Sequence, residues 1–104
     1  MFGVFKNLFT GNSQELTEAI KNGAYLVDVR TPEEFSSGSV NGAVNIPLDR
    51  ISGQLAKFKG KEQIVVFCRS GARSGQAKSI LERNGIQHVF NGGSWQQVAQ
   101  IKQG

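Results

Sequence analysis

The chain has 104 residues, a length at which one domain can bury about two thirds of the surface that its unfolded form exposes. Apolar residues make up 38% and charged residues 19%, the proportions of an ordinary globular protein, so we do not expect a disordered chain. The formal charge of +4 suits an anionic substrate. Because no basic stripe interleaved with aromatic residues accompanies this charge, we expect no nucleic-acid partner.

Residues 1–12 form a short apolar N-terminal segment, and residues 13–104 form a single domain. The segment places apolar side chains on one helical face but has neither a basic n-region nor a long apolar stretch. We therefore predict a short helix or edge strand packed on the domain, with a surface anchor as the alternative. No apolar run approaches the roughly 18 residues that a membrane span needs. The single cysteine excludes an internal disulfide and favours the cytoplasm.

The first part of the domain predicts two helices around one strand. Ser13 is expected to cap a helix that continues to about Asn22 and is ended by Gly23. The apolar run at residues 24–29 predicts a buried strand. Thr31-Pro32-Glu33-Glu34 combines an N-cap threonine, a proline at the first helical position and a glutamate three residues after the cap. This pattern predicts the start of a second helix.

Strands and helices continue to alternate along the remaining residues. The predicted elements are a short strand at 43–46 that Pro47 ends, a helix at 51–58 with Ile51, Leu55 and Phe58 inward, a strand at 64–67, a helix at 74–84 that Gly85 ends, a strand at 88–90, and a helix from about Ser94. Such alternation predicts a parallel α/β sheet with helices on both faces. Ligands of such sheets bind at the carboxyl ends of the strands.

Cys68 lies at one of these strand ends and opens the run Cys68-Arg69-Ser70-Gly71-Ala72-Arg73-Ser74-Gly75. A thiol at a helix N-terminus is favoured as the thiolate by the helix dipole, by free backbone N–H groups and by neighbouring guanidinium charges. The pattern therefore predicts a sulfur nucleophile that meets an anion. The alternative for the two arginines is a solvated basic rim.

Other kinds of site find little support in the sequence. A cysteine hydrolase needs a histidine beside its cysteine, and His88, the one histidine, begins the next strand and should lie at the opposite edge of the sheet. One cysteine and one histidine do not make a zinc site, so we expect no metal. Gly92-Gly93 is expected to be a turn between strand and helix, not a nucleotide fingerprint, and we expect no cofactor.

Several ordered motifs resemble those of single-domain rhodaneses, which are thiosulfate sulfurtransferases. They are Leu26–Phe35, Gly42–Pro47, the Cys68 loop and Asn91–Gly93. The resemblance implies a rhodanese-like α/β fold with about five mainly parallel strands flanked by helices on both faces. It also implies a cysteine that carries sulfane sulfur as a persulfide. Two departures from the family pattern are the absence of a histidine at Ser39-Val40-Asn41-Gly42-Ala43 and the early position of Trp95.

The resemblance assigns roles to individual residues. Cys68 is implied as the nucleophile, with Ser74 in support, and the implied substrate-binding loop consists of Arg69, Ser70, Gly71, Ala72 and Arg73. Asp28 and Arg30 match the family's Asp-x-Arg and are implied as structural support near the loop. For Asp28 a general base is the alternative, and a carboxylate paired with a loop N–H or with Arg30 is favoured. We expect Ser70 to be a turn residue, because no base is near it.

Loop length separates two chemistries of this fold. Phosphatase loops have Cys-x-x-x-x-x-Arg, but Ser74 occupies that arginine position here and Arg73 falls one residue earlier. The shorter loop suits the outer sulfur of a persulfide, so a phosphatase or arsenate reductase is a distant alternative. The expected partners are a thiosulfate-like donor, a thiol or cyanide acceptor, and a sulfur-relay protein. A sulfur-carrier or protein-binding module without turnover is the second alternative.

Overall fold

The computed structural model describes residues 13–104, and the prediction for the N-terminal segment lies outside the described residues. The helices are α1 (residues 13–21), α2 (Pro32–Ser36), α3 (Ala72–Arg83) and α4 (Trp95–Gln103). The strands are β1 (Tyr25–Asp28), β2 (Val44–Asn45), β3 (Ile64–Cys68) and β4 (Val89–Ser94). A 3-10 helical segment, Leu48–Phe58, connects β2 to β3.

The strands form one parallel sheet in the order β2-β1-β3-β4. The predicted parallel α/β sheet is confirmed, but the strand count differs, since the described residues form four strands where the resemblance implies about five. Each of the four strands predicted from the sequence, at residues 24–29, 43–46, 64–67 and 88–90, corresponds to one strand of the sheet. Asp28 pairs with Phe67 in the register, so the carboxyl ends of β1 and β3 lie side by side.

Helices cover both faces of the sheet, as predicted. On one face the 3-10 segment and α3 pack through Ile51, Phe58 and Leu81, and on the other α1 and α4 pack through Ile20 and Val98. Every residue of β3 is at most 1% exposed, because this central strand has neighbours on both sides and a helical layer on each face. The final residue of β3 is therefore held rigidly.

Several helix ends follow the sequence prediction and others do not. Thr31 caps α2 in a capping box with Glu34, as predicted. At the end of α1, Gly23 N–H donates to Ile20 and Ala24 N–H donates to Ala19, while Gly23 has a φ of +89°. Ser13, by contrast with the prediction of a cap, is already helical and is the first described residue of α1.

Three predicted boundaries in the second half of the chain are wrong. Helix α3 begins at Ala72 rather than at residue 74, because Gly71 adopts a φ of +103° and turns the chain into the helix at once. Gly92-Gly93 lies inside β4 rather than in a turn after it. Strand β4 begins at Val89, not at residue 88.

The glycine pair forms an irregularity in β4 beside Cys68. Val66 pairs with Asn91 and Cys68 pairs with Ser94, so β4 carries one extra residue over this interval. A Cβ at Gly92 would lie 2.7 Å from a methyl group of Val98 and 2.9 Å from one of Val65. Glycine is required here because the backbone approaches two buried side chains too closely for any other residue.

We expect Gly92→Ala to lower the free energy of unfolding by about 1–3 kcal/mol, because the added methyl group overpacks the interior. Urea denaturation of the two proteins measures this difference. Gly53→Ala is the matched control, since nothing lies within 4 Å of a Cβ at Gly53. Equal stability of the Gly92 variant and the parent protein would contradict the packing argument.

Candidate active site

The sulfur of Cys68 lies at the carboxyl end of β3 and is surrounded by hydrogen-bond donors. Gly71 N–H donates to Sγ at 3.0 Å and Ser74 N–H donates at 3.4 Å. The Ser74 hydroxyl oxygen lies 3.3 Å from Sγ. The loop that makes this turn is short, comprising only Arg69, Ser70 and Gly71 between β3 and α3. The sulfur of Cys68 is therefore hydrogen-bonded both by its own loop and by the first turn of the next helix.

These donors determine the acidity of the thiol. Burial raises the pKa of Cys68, but hydrogen bonds from the Ser74 hydroxyl and from the backbone N–H groups of Ser74, Ser70 and Gly71 outweigh it and lower the pKa to about 7. The direction agrees with the sequence argument. The leading causes of the lowered pKa are fixed hydrogen bonds, whereas the sequence argument gave equal place to the arginine charges.

Arg73 does not project freely from a loop. It belongs to the first turn of α3, and its guanidinium donates to both carboxylate oxygens of Glu34, at 2.7 and 3.0 Å. This pair, with the Thr31 N–H, lowers the pKa of Glu34 to about 2. The same carboxylate closes the capping box of α2, so Arg73 ties α2 to α3 beside the loop.

The remaining loop residues differ in their surroundings. Arg69, Ser70 and Ala72 are exposed, and Gly71 is half-buried. The Arg69 guanidinium makes no hydrogen bond or ion pair with any of residues 13–104. Of the two arginines in the predicted substrate-binding loop, Arg69 is thus the one whose guanidinium the described part of the chain leaves available for an anion.

Asp28 and Arg30 form a buried ion pair beside the carboxyl end of β3. Arg30 Nη2 donates to Asp28 Oδ2 at 2.7 Å, and the side chains are 5% and 0% exposed. Arg30 N–H donates to the other carboxylate oxygen at 3.0 Å. Both carboxylate oxygens thus accept hydrogen bonds from Arg30, an arrangement that suits structural support.

The two departures from the family pattern meet at this ion pair. The Ser39 hydroxyl donates to Asp28 Oδ2 at 2.7 Å, and Arg30 Nη2 also donates to the Gly38 carbonyl. The ring of Trp95 lies 5.3 Å from the guanidinium carbon of Arg30 and packs close to Gly38. Ser39 therefore holds the carboxylate of the pair, and Trp95 packs against its guanidinium.

Two residues near the site were not predicted from the sequence. Glu34 was identified only as part of a helix start, and its bond to Arg73 spans 39 residues. Asn91 was noted only within a motif, yet Ser74 Oγ–H donates to its Oδ1 at 2.7 Å. Both contacts depend on how helices and strands pack, and no local spacing signals them.

No metal-ligand cluster occurs among the described residues, which contain no group of three or more histidine, cysteine, aspartate or glutamate side chains in suitable positions. His88 lies just before β4, at the amino end of the sheet, whereas Cys68 ends β3 at the carboxyl edge. No helix within residues 13–104 has the length and apolar character to cross a membrane.

A comparison with protein families agrees with this geometry. The model of the rhodanese-like domain matches residues 12–100. The chain belongs to the rhodanese-like family. Thiosulfate sulfurtransferase PspE of Escherichia coli is 38% identical over 78 residues, which cover 73% of this chain and 75% of that protein.

Two further relatives extend the comparison. The putative sulfur carrier protein YrkF of Bacillus subtilis is 30% identical over 66 residues, covering 64% of this chain but only 36% of that protein. A solved structure described as a rhodanese with anions from E. coli is 38% identical in sequence and has a TM-score of 0.67. The match covers 72% of this rhodanese-like chain and 91% of the chain in that structure. These relatives support sulfurtransferase chemistry in general.

We expect Ser74→Ala to raise the pKa of Cys68, because the hydroxyl is the leading hydrogen-bond cause of its lowering. The rate of alkylation by iodoacetamide rises with pH as the thiolate forms, and its midpoint measures the pKa. The parent protein should show a midpoint near the value of about 7. Ser79→Ala, an exposed serine on the same helix, is the control and should leave the midpoint in place. An unshifted midpoint in the Ser74 variant would remove the hydroxyl from this account.

Proposed function

We propose that this protein is a thiosulfate sulfurtransferase that carries sulfane sulfur as a persulfide on Cys68. The observation that carries the proposal is the position of Cys68 Sγ, which accepts N–H groups from Gly71 and Ser74 at the carboxyl end of the central strand. Its pKa of about 7 provides thiolate near neutral pH. The names of the relatives support the same chemistry.

The proposed reaction has two displacement steps and needs no cofactor or metal. The Cys68 thiolate attacks the outer sulfur of thiosulfate, a new S–S bond forms, and the S–S bond of thiosulfate breaks as sulfite leaves with the electron pair. Cyanide, a small thiol or a protein thiolate then attacks the terminal sulfur of the persulfide. The S–S bond to Cys68 breaks, and the Cys68 thiolate is regenerated. Backbone N–H groups stabilise the anionic sulfur between the steps.

Arg69 is the proposed contact for the oxyanion of the donor, since it is exposed and has no ion-pair partner among residues 13–104. Arg73 adds positive charge at the site but is engaged by Glu34. We therefore assign Arg73 chiefly to holding the first turn of α3. In the proposed scheme Ser70 and Gly71 contribute backbone N–H groups, Ala72 starts the helix, and Asp28 and Arg30 support the carboxyl ends of the strands.

The loop favours sulfur transfer over phosphate chemistry. Ser74, at the position where phosphatase loops have arginine, is buried against the sulfur. No guanidinium enters the loop at that point to bind a phosphate. The proposed setting is the cytoplasm, where a free thiol and thiol acceptors persist. A sulfur-carrier role, with a relay protein as partner, is the second candidate, and similarity to YrkF favours it.

We expect thiosulfate to increase the intact mass of the protein by one sulfur atom, and Cys68→Ser to abolish both this gain and turnover. The serine hydroxyl has no neighbouring base to activate it. Mass spectrometry before and after thiosulfate treatment provides the measurement. Release of the added sulfur by cyanide with repeated turnover distinguishes the enzyme from a carrier, which would keep its sulfur until a protein acceptor arrives. Sulfur transfer by the serine variant would refute the role of Cys68.

We expect Arg69→Ala to raise the KM for thiosulfate about ten-fold with little change in kcat, because a charge-assisted contact to the donor is lost. Steady-state assays with cyanide as acceptor measure both constants. Arg83→Ala is the control, since this exposed arginine lies at the other end of α3. An unchanged KM for the Arg69 variant would show that Arg69 belongs to a solvated rim and would exclude it as the donor contact.

A further inference from the structure

Asn91 lies on β4 and connects three parts of the site without touching the sulfur. Its Oδ1 accepts the Ser74 hydroxyl at 2.7 Å and the Gly93 N–H at 3.0 Å. Its Nδ2 donates to the Gly71 carbonyl at 3.0 Å. The side-chain amide therefore bridges the Cys68 loop, the first turn of α3 and the irregular stretch of β4.

The backbone fixes which way this amide points. A carbonyl can only accept, so the NH₂ group must face Gly71, and a backbone N–H can only donate, so the oxygen must face Gly93. The Ser74 hydroxyl then donates its one proton to Asn91 when Cys68 is a thiol, and the S–H group donates to Ser74 Oγ. When the thiol ionises, the Ser74 proton can turn to Sγ, because Oδ1 still holds the Gly93 N–H.

Asn91 contacts the same two residues that bond to the sulfur. Gly71 supplies the shortest N–H contact to Sγ, at 3.0 Å, and Ser74 supplies both its hydroxyl and its N–H. Asn91 pairs with Val66 in the regular part of the β3–β4 register, and the register shifts just beyond it, between Val66 and Cys68. Without the amide, the Gly71 carbonyl and the Ser74 hydroxyl would lose their common anchor.

We propose that Asn91 is a positioning residue that, through its bond to the Gly71 carbonyl, holds the Gly71 N–H in the geometry that stabilises the Cys68 thiolate. The inference rests on the proposed role of Cys68 as nucleophile. The test of this inference measures the ionisation of the thiol and not sulfur transfer. A failure of the inference can therefore be told apart from a failure of the proposed function. The role differs from general stabilisation, because it predicts a change in thiol acidity.

Charged groups from the neighbouring elements also face this end of the sheet. They are Asp28 at the end of β1, Arg30 just after it, Glu34 on α2, Arg69 on the loop and Arg73 on α3. Strand β4 itself contributes no charged side chain. Replacing Asn91 by alanine removes none of these charges, so a shift in the ionisation of Cys68 would report the lost amide contacts.

The test is the pH dependence of Cys68 alkylation in Asn91→Ala. We expect the midpoint to rise by about one pH unit from the parent value of about 7, which makes alkylation at pH 7 about five-fold slower. Asn84→Ala is the matched control, because its amide donates to the Ile80 carbonyl at the opposite end of α3 and should not affect the midpoint. Thermal unfolding of each variant checks the fold.

Two further variants make the test sharper. In a double-mutant cycle, Asn91→Ala should still raise the midpoint in the Ser74→Ala background, because the contact of Asn91 with the Gly71 carbonyl does not depend on Ser74. Asn91→Gln, which keeps the amide but displaces it by one methylene group, should also raise the midpoint and serves if the alanine variant does not fold. A folded Asn91 variant with the parent midpoint would overturn the inference, whether or not thiosulfate still forms a persulfide.

Discussion

The buried ion pair between Asp28 and Arg30 is the interaction on which the site depends most. It joins the end of β1 to the segment around Gly38 and to α4 through Trp95. Removing one partner of such a pair costs about 3–5 kcal/mol, because the other charge is left buried and unpaired. Since β1 lies directly beside β3, with Asp28 opposite Phe67, this pair fixes the strand end from which Cys68 emerges.

A second layer of the site consists of hydrogen bonds that cross between elements. The Glu34 carboxylate serves both its own helix cap and Arg73, and the Asn91 amide serves both the loop and α3. The loop and the first turn of α3, which supply the donors around Sγ, are thus held by partners on α2 and β4. The backbone N–H groups among these donors need no reorganisation when charge appears on sulfur, which helps them to outweigh the cost of burial.

Much of the fold could be predicted from local patterns. The capping box at Thr31 and the buried run at residues 64–67 each specify their structure within a few residues. The start of α3 could not be predicted, because glycine adopts positive and negative φ values about equally well and the sequence does not show that Gly71 has a positive one. The partners of Arg73 and Ser74 also escaped prediction, because they lie 39 and 17 residues away and only tertiary packing brings them close.

The early start of α3 links the size of the loop to the phase of the helix. Because Ala72 and Arg73 are already helical, inserting a residue there would turn every following side chain by about 100° around the helix axis. Arg73 would leave Glu34, and Ser74 and Ala77 would leave their buried positions. A longer, phosphate-sized loop therefore cannot arise in this chain by a single insertion without repacking α3, which places a structural barrier between the two chemistries.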